Sequence, residues 1–331
     1  EVPLAKELND GLTDPDRSPF LSEEVVLSPL GSHLFLAFSE VNPEACALAL
    51  SRILISKTDD EIRNIESSRR NLAWALDRMV FDHRSFRYAM LSLARLSLVE
   101  TEGYIANNTT GLFIDRYPIL LPGTEVDLSS RIGILKELSV DARYNQLIIK
   151  SLHRALGVGH FHRTGGAEKQ GLKTLKDYNP TYNEVVDYFN TCLDMLLKLA
   201  NNQQDIDAIS RLLTDNACSY YLQGLDQFLI RGLEEVAPIR NFIWEEMNDA
   251  LASLIKYSAP KRQNYRVEEF ATWKSKLTRD DYVYRLLNSA KEINRNYENS
   301  FEQTQKQIRN CYQKLAYELI DKGYYKDEMI M

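Results

Sequence analysis

The stretch "NLAWALDRMVFDHRSFRYAMLSLARL", residues 71–96, decides how this chain is to be read. Its apolar residues recur at intervals of three and four on both sides of Phe81-Asp82, the spacing of one buried face per helix and not of a strand. Asp82 follows an apolar residue and precedes a new helical run. Its carboxylate is placed to accept the free amide protons of the second helix, while Phe81 staples that helix's start. Two antiparallel helices joined by so tight a turn bury their facing sides together. Trp74, Leu76 and Met79 are therefore expected to meet Phe86, Met90 and Leu93, with Trp74 as a core anchor.

The same plan occurs twice more. Residues 30–54, "LGSHLFLAFSEVNPEACALALSRIL", turn at Val41 and Asn42, and residues 131–156, "RIGILKELSVDARYNQLIIKSLHRAL", turn at Val140 and Asp141. The caps at 42, 82 and 141 lie 40 and 59 residues apart, which predicts an all-α, irregular two-helix array of the HEAT or TPR kind. An insertion at about residues 100–127 separates the second and third pairs. Further along, Tyr182, Val185, Phe189, Leu193, Leu196 and Ala200 form an amphipathic stripe entered through "NPT". Ile243, Met247, Leu251 and Leu254 form another, with Pro238 near its first turn. The longest stripe runs over residues 280–321 and predicts one long helix or a hairpin. The expected organisation is thus an array over residues 1–265, with a long loop at about 157–179, and a C-terminal helical segment over 266–331.

Composition narrows the function classes. With 331 residues and 44% hydrophobic content the chain can bury a large core. Its 47 acidic against 40 basic residues give a net charge of −7, so no overall positive field draws nucleic acid or anionic lipid. No run approaches the roughly 18 apolar residues of a membrane span, and "EVPLAKELNDG" lacks the regions of a signal peptide. A cytoplasmic protein without membrane contact is expected, and the first residue, glutamate and not methionine, suggests part of a longer chain. Cys46, Cys192, Cys218 and Cys311 are far apart in helix-like stretches and read as reduced, buried or half-buried thiols. "NNTT" at 107–110 reads as ordinary loop polars in spite of its two sequons.

One loop looks like chemistry. "ALGVGHFHRTGG", residues 155–166, brings together His160, His162 and Arg163 among four glycines. A zinc site needs three or four ligands in a closed geometry, and this loop supplies two, with His153 as the nearest third. Phosphate binding would need the loop at a helix N-terminus, which the pattern does not provide. The glycines suit a long connection that turns sharply, and a partner-contacting loop is the favoured reading, with no metal, cofactor or catalytic residue assigned. Lys261, Arg262 and Arg266 with Tyr257 and Tyr265 form a second candidate, a basic patch able to stack and neutralise a nucleic-acid backbone; a solvated loop is the plainer reading.

The combination "LAWALDRMVFDHRSFRYAMLSLARLSLVETEGYIANNTTGLFIDRYPILLPGT", residues 72–124, followed by "RIGILKEL", resembles a region of large bacterial STAND-type NTPases and related antiphage proteins. There a phrase of the form LxWALExLA, a following helix, an asparagine-containing loop and a closing PxT or PGT recur. The likeness extends more weakly through "PTYNEVVDYF" to about residue 265 and is lost in the last 65 residues. It implies a non-catalytic helical sensor, part of a multidomain protein in bacterial antiviral defence, that recognises a foreign or signalling protein and relays this to an NTPase elsewhere in the chain. The absence of a GxxxxGK[ST] loop agrees with that implication. The expected partners are another protein and other domains of the same full-length chain. The alternative is an enzyme or nucleic-acid-binding domain centred on the His160/His162 loop and the Lys261-Arg262 segment.

Overall fold

The computed structural model describes residues 11–65, 68–101, 103, 108–158, 169–170, 173–239 and 245–277, together with residues 309, 310, 313 and 317. The fold is an all-α array of helices packed on one another. In chain order the helices are α1 (Glu23–Val26), α2 (Pro29–Val41), α3 (Pro43–Ile55), α4 (Asp59–Arg63), α5 (Arg69–Met79), α6 (His83–Ser97) and α7 (Thr109–Ile114). They continue with α8 (Leu128–Leu138), α9 (Asn145–Leu156), α10 (Tyr182–Leu199), α11 (Gln203–Leu222), α12 (Asp226–Val236), α13 (Glu245–Ser253) and α14 (Val267–Leu277). Extended pairing among the described residues is limited to Lys169–Gln170 against Lys173–Thr174. No described helix is long and apolar enough to cross a membrane.

The three caps read from the sequence are present. The side chain of Asn42 accepts from the Ala45 amide at 3.2 Å, Asp82 from Arg84 at 2.9 Å and Asp141 from Arg143 at 3.0 Å. Asp141 opens a short 3-10 turn, Ala142–Tyr144, before α9 begins. The stapling residues behave differently from one another: Phe81 is buried, whereas Val41 is 60% and Val140 is 90% exposed. Proline at the first helical position after Ser28 and Asn42 starts α2 and α3 where a missing amide proton is harmless.

The first two pairs stack with equivalent helices in contact, α2 on α5 and α3 on α6. Asn71 donates to the Ser32 hydroxyl at 2.9 Å and Arg78 pairs with Glu40, so α2 and α5 run side by side in register. Gly31 is required beneath this stack, because a Cβ there would lie 1.9 Å from the Val25 carbonyl oxygen. The third pair departs from the plan. Its helices, α8 and α9, each lay their main contact on α10 instead of on each other, and α7 wedges between α6 and α9. Downstream, Phe189, Tyr220 and Phe228 meet edge to face at 5.1 to 6.0 Å where α10, α11 and α12 converge. Pro238 follows the end of α12, and α13 is continued by a π-helical turn, Leu254–Ser258.

One packing expectation is corrected. Leu76, Met79, Phe86, Met90 and Leu93 are all buried, but Trp74 is 43% exposed. Leu72, Ala75, Leu76 and Met79 define the buried face of α5, and position 74 lies on the opposite side of that helix at 100° per residue.

Candidate interaction surface

Among the described residues, the insertion is held by a dense set of hydrogen bonds. Asn108 caps α7 by accepting from the Gly111 amide at 2.7 Å, and the Thr109 hydroxyl donates to Glu100 at 2.6 Å. The "NNTT" asparagine at 108 is therefore a helix cap. The segment after α7, "DRYPILLPGT" at 115–124, is then fixed almost residue by residue. Asp115 accepts from Arg154 of α9 at 3.1 Å. Arg116, 6% exposed, donates to the carbonyls of Leu112 and Gly123 and to the Asp77 carboxylate of α5, all at 3.0 to 3.1 Å. The Tyr117 carbonyl accepts from the Tyr188 hydroxyl of α10 at 2.7 Å. The Thr124 hydroxyl donates to the Phe81 carbonyl at 3.2 Å, while its own carbonyl accepts from the Tyr178 amide at 2.9 Å.

Arg131, on α8, closes this arrangement from inside. It is 0% exposed, and its guanidinium donates to the carbonyls of Val126 at 2.8 Å, Pro118 at 3.0 Å and Arg116 at 3.3 Å. Burial pulls its pKa down from the usual arginine value, opposed by the nearby Tyr188 and Asp127. The group stays charged, and the ring of carbonyl dipoles with the Tyr178 ring 5.9 Å away takes the place of a carboxylate. Burial likewise raises the Tyr117 and Tyr188 hydroxyls well above their usual range.

What the two arginines hold in place is an apolar tip. Leu120 and Leu121 are each 48% exposed, although Ile119 and Pro122 on either side are buried. Leu121 sits at φ 51°, a left-handed conformation that a branched side chain adopts only when its surroundings impose it. Arg116 ties Gly123, two residues beyond the tip, to Asp77, one helical turn from the exposed Trp74. The two exposed leucines thus sit within a hydrogen-bonded framework that reaches α5 through Asp77. Arg116, Leu120, Leu121 and Arg131 are not among the residues that the sequence patterns single out. Two leucines directly before Pro-Gly in an insertion were the available signal.

Two of the three cations of the basic patch are paired within the chain. Lys261 is exposed, but Arg262 and Arg266 both turn inward onto Asp226, which is 3% exposed, at 3.0 and 3.1 Å. Arg266 also grips Glu269 with both ends of its guanidinium, at 2.7 and 2.8 Å, and these hydrogen bonds raise its pKa above the arginine norm. Arg262 lies between the rings of Tyr221 and Tyr265, at 4.7 and 5.1 Å. Both guanidiniums are thus engaged within the chain. The sequence could not reveal this, because Asp226 is about 40 positions away.

His160, His162 and Arg163 lie outside the described residues. The borders of their loop are anchored: Val158 donates to Asn216 at 3.1 Å, and Tyr178 joins Thr124. His153 is half-buried on α9, and burial lowers its pKa. A different trio, Asp82, His83 and Glu125, brings three potential ligand atoms within 4.8 Å. Its groups are engaged already. Asp82 caps α6 and pairs with Arg84 at 2.8 Å, and Glu125 accepts from the His83 amide at 3.2 Å and lies 3.0 Å from Nδ1. The trio fastens the end of the insertion to the α5–α6 turn. Comparison with family models, with curated proteins and with solved structures finds no match to this chain.

Proposed function

We propose that this chain is a non-catalytic protein-interaction module that presents the Leu120–Leu121 tip and the exposed Trp74 to a protein partner. The observation that carries this reading is the tip itself: exposed leucines, one of them in strained backbone, fixed from behind by the buried Arg116 and Arg131. Strain of this kind persists where surrounding structure over-determines it, and it concentrates at binding positions. Apolar and aromatic anchors on a rigid frame bind at low entropic cost. The stacking of α2 on α5 and α3 on α6 supports a helical-repeat ancestry for the first two pairs. With the resemblance of residues 72–124 to STAND-type proteins, the reading extends to a cytoplasmic sensor in a larger bacterial defence protein that passes partner recognition to other domains of its own chain. The inward pairing of Arg262 and Arg266 counts against the nucleic-acid alternative.

The test is Leu120→Asp with Leu121→Asp in the affinity-tagged full-length chain, expressed in its host. A specific protein that co-purifies stoichiometrically with the wild type should be lost from the double variant, with helical circular dichroism unchanged. Retention of that partner by the variant sinks the reading, as does stoichiometric nucleic acid in the purified wild type.

A further inference from the structure

We propose that α14 is a detachable strap, closed over the end of α11 by a clamp centred on Asp226, whose local opening is a conformational step built into the fold. Three observations meet here. The segment entering α14 is strained: Gln263, Asn264 and Arg266 have φ of 53°, 57° and 52°, three left-handed non-glycine residues within four, directly after the π-helical turn Leu254–Ser258 and a 3-10 turn, Ala259–Arg262. One buried carboxylate holds that strain in place, since Asp226, in the first turn of α12, binds Arg262 through one oxygen and Arg266 through the other. The strap's full burial is confined to one residue. Phe270 is its one fully buried residue, meeting Tyr221 edge to face at 5.5 Å, while Val267, Trp273 and Leu277 are half-buried. α14 also packs along α13, where Asn248 donates to the Lys274 carbonyl at 2.8 Å, and at its entry the Tyr221 hydroxyl donates to the Tyr265 carbonyl at 2.6 Å while the Tyr221 carbonyl accepts from Arg262.

A segment with stored backbone strain, one apolar plug and one charge clamp opens as a unit before the core behind it does. Opening would uncover the Tyr221 ring and move the chain that follows Leu277, which is how an event on the array would reach whatever lies C-terminal to it.

Hydrogen exchange on the whole chain tests this with three variants. Asp226→Asn weakens both halves of the clamp, Arg266→Gln removes one half, and Asp194→Asn breaks the exposed pair with Arg231 as a control. The expected result is exchange over residues 259–277 faster by about tenfold or more in Asp226→Asn and by less in Arg266→Gln, with α2, α3, α5 and α6 unchanged and the control silent. Should Asp226→Asn fail to fold, the milder Arg266→Gln carries the test alone. Unchanged exchange over 259–277 overturns the proposal. So does acceleration spread equally over α10 to α13, which would make α14 an inseparable part of the core.

Discussion

Arg131 sets the residue-scale energetics of the insertion. Its three carbonyl acceptors belong to chain separated by up to ten positions, and the planar fork reaches them together. An ammonium is a point charge and cannot reproduce that fork. Arg131→Lys should therefore lower stability by about 2–4 kcal/mol in urea unfolding, despite conserving the charge. Trp74 makes the opposite case. Truncating a buried aromatic costs about 3–5 kcal/mol, but Trp74→Ala in this exposed setting should cost about 1–2 kcal/mol while weakening partner capture. A large loss of thermal stability in that variant would contradict its exposed placement. The thiols give a third check. Burial pushes the Cys46 pKa up to about 12 and moves Cys192 the same way, so at pH 8 neither offers appreciable thiolate. Both should resist alkylation in the folded protein and react in urea, read by peptide mass mapping.

At the scale of the element, acidic caps carry a pH dependence. Hydrogen bonds from Thr58 lower the Glu61 pKa, and hydrogen bonds from Tyr178 and Thr181 lower that of Glu184, each closing a capping box on α4 or α10. A folded pKa below the unfolded one contributes stability that is full above the unfolded value and is lost as pH falls through the folded value. Melting temperature should thus decline as pH falls below about 4, the ordinary range of a glutamate. In Glu61→Gln with Glu184→Gln that decline should be shallower, with a lower starting point at pH 7. An identical slope in the double variant would remove these caps from the acid response.

For the whole molecule, the insertion is one link between the array's two halves, the α2–α6 stack and the α10–α13 helices, beside the packing of α6 on α8 and the Arg87–Glu137 pair. Arg116 and Thr124 reach α5 and Phe81 on one side, and Tyr117 and Thr124 reach Tyr188 and Tyr178 on the other. Wild-type protein should unfold in one calorimetric transition because the halves share this segment. Replacing residues 116–124 with a glycine-serine loop of equal length should split the endotherm in two, the α2–α6 unit melting apart from α10–α13. A single transition that merely shifts would mean that helix packing alone couples the halves.

The sequence by itself determined the helices, because their apolar period and their caps are local. Asn42, Asp82 and Asp141 each act on an amide two or three positions away, and "PTYNE" carried both halves of the α10 capping box. The face of Trp74 was legible too, since counting 100° per residue from Leu72 and Leu76 sets it opposite the core, but its size suggested burial. Only the tertiary structure decided the rest. That α8 and α9 separate onto α10, that Arg262 and Arg266 close on Asp226 and not on a ligand, and that Arg116 and Arg131 turn Leu120 and Leu121 outward all depend on partners distant in sequence. The physical reason is that a charged side chain's role is set by what lies within a few ångströms of its tip, and the order of residues along the chain does not encode that distance.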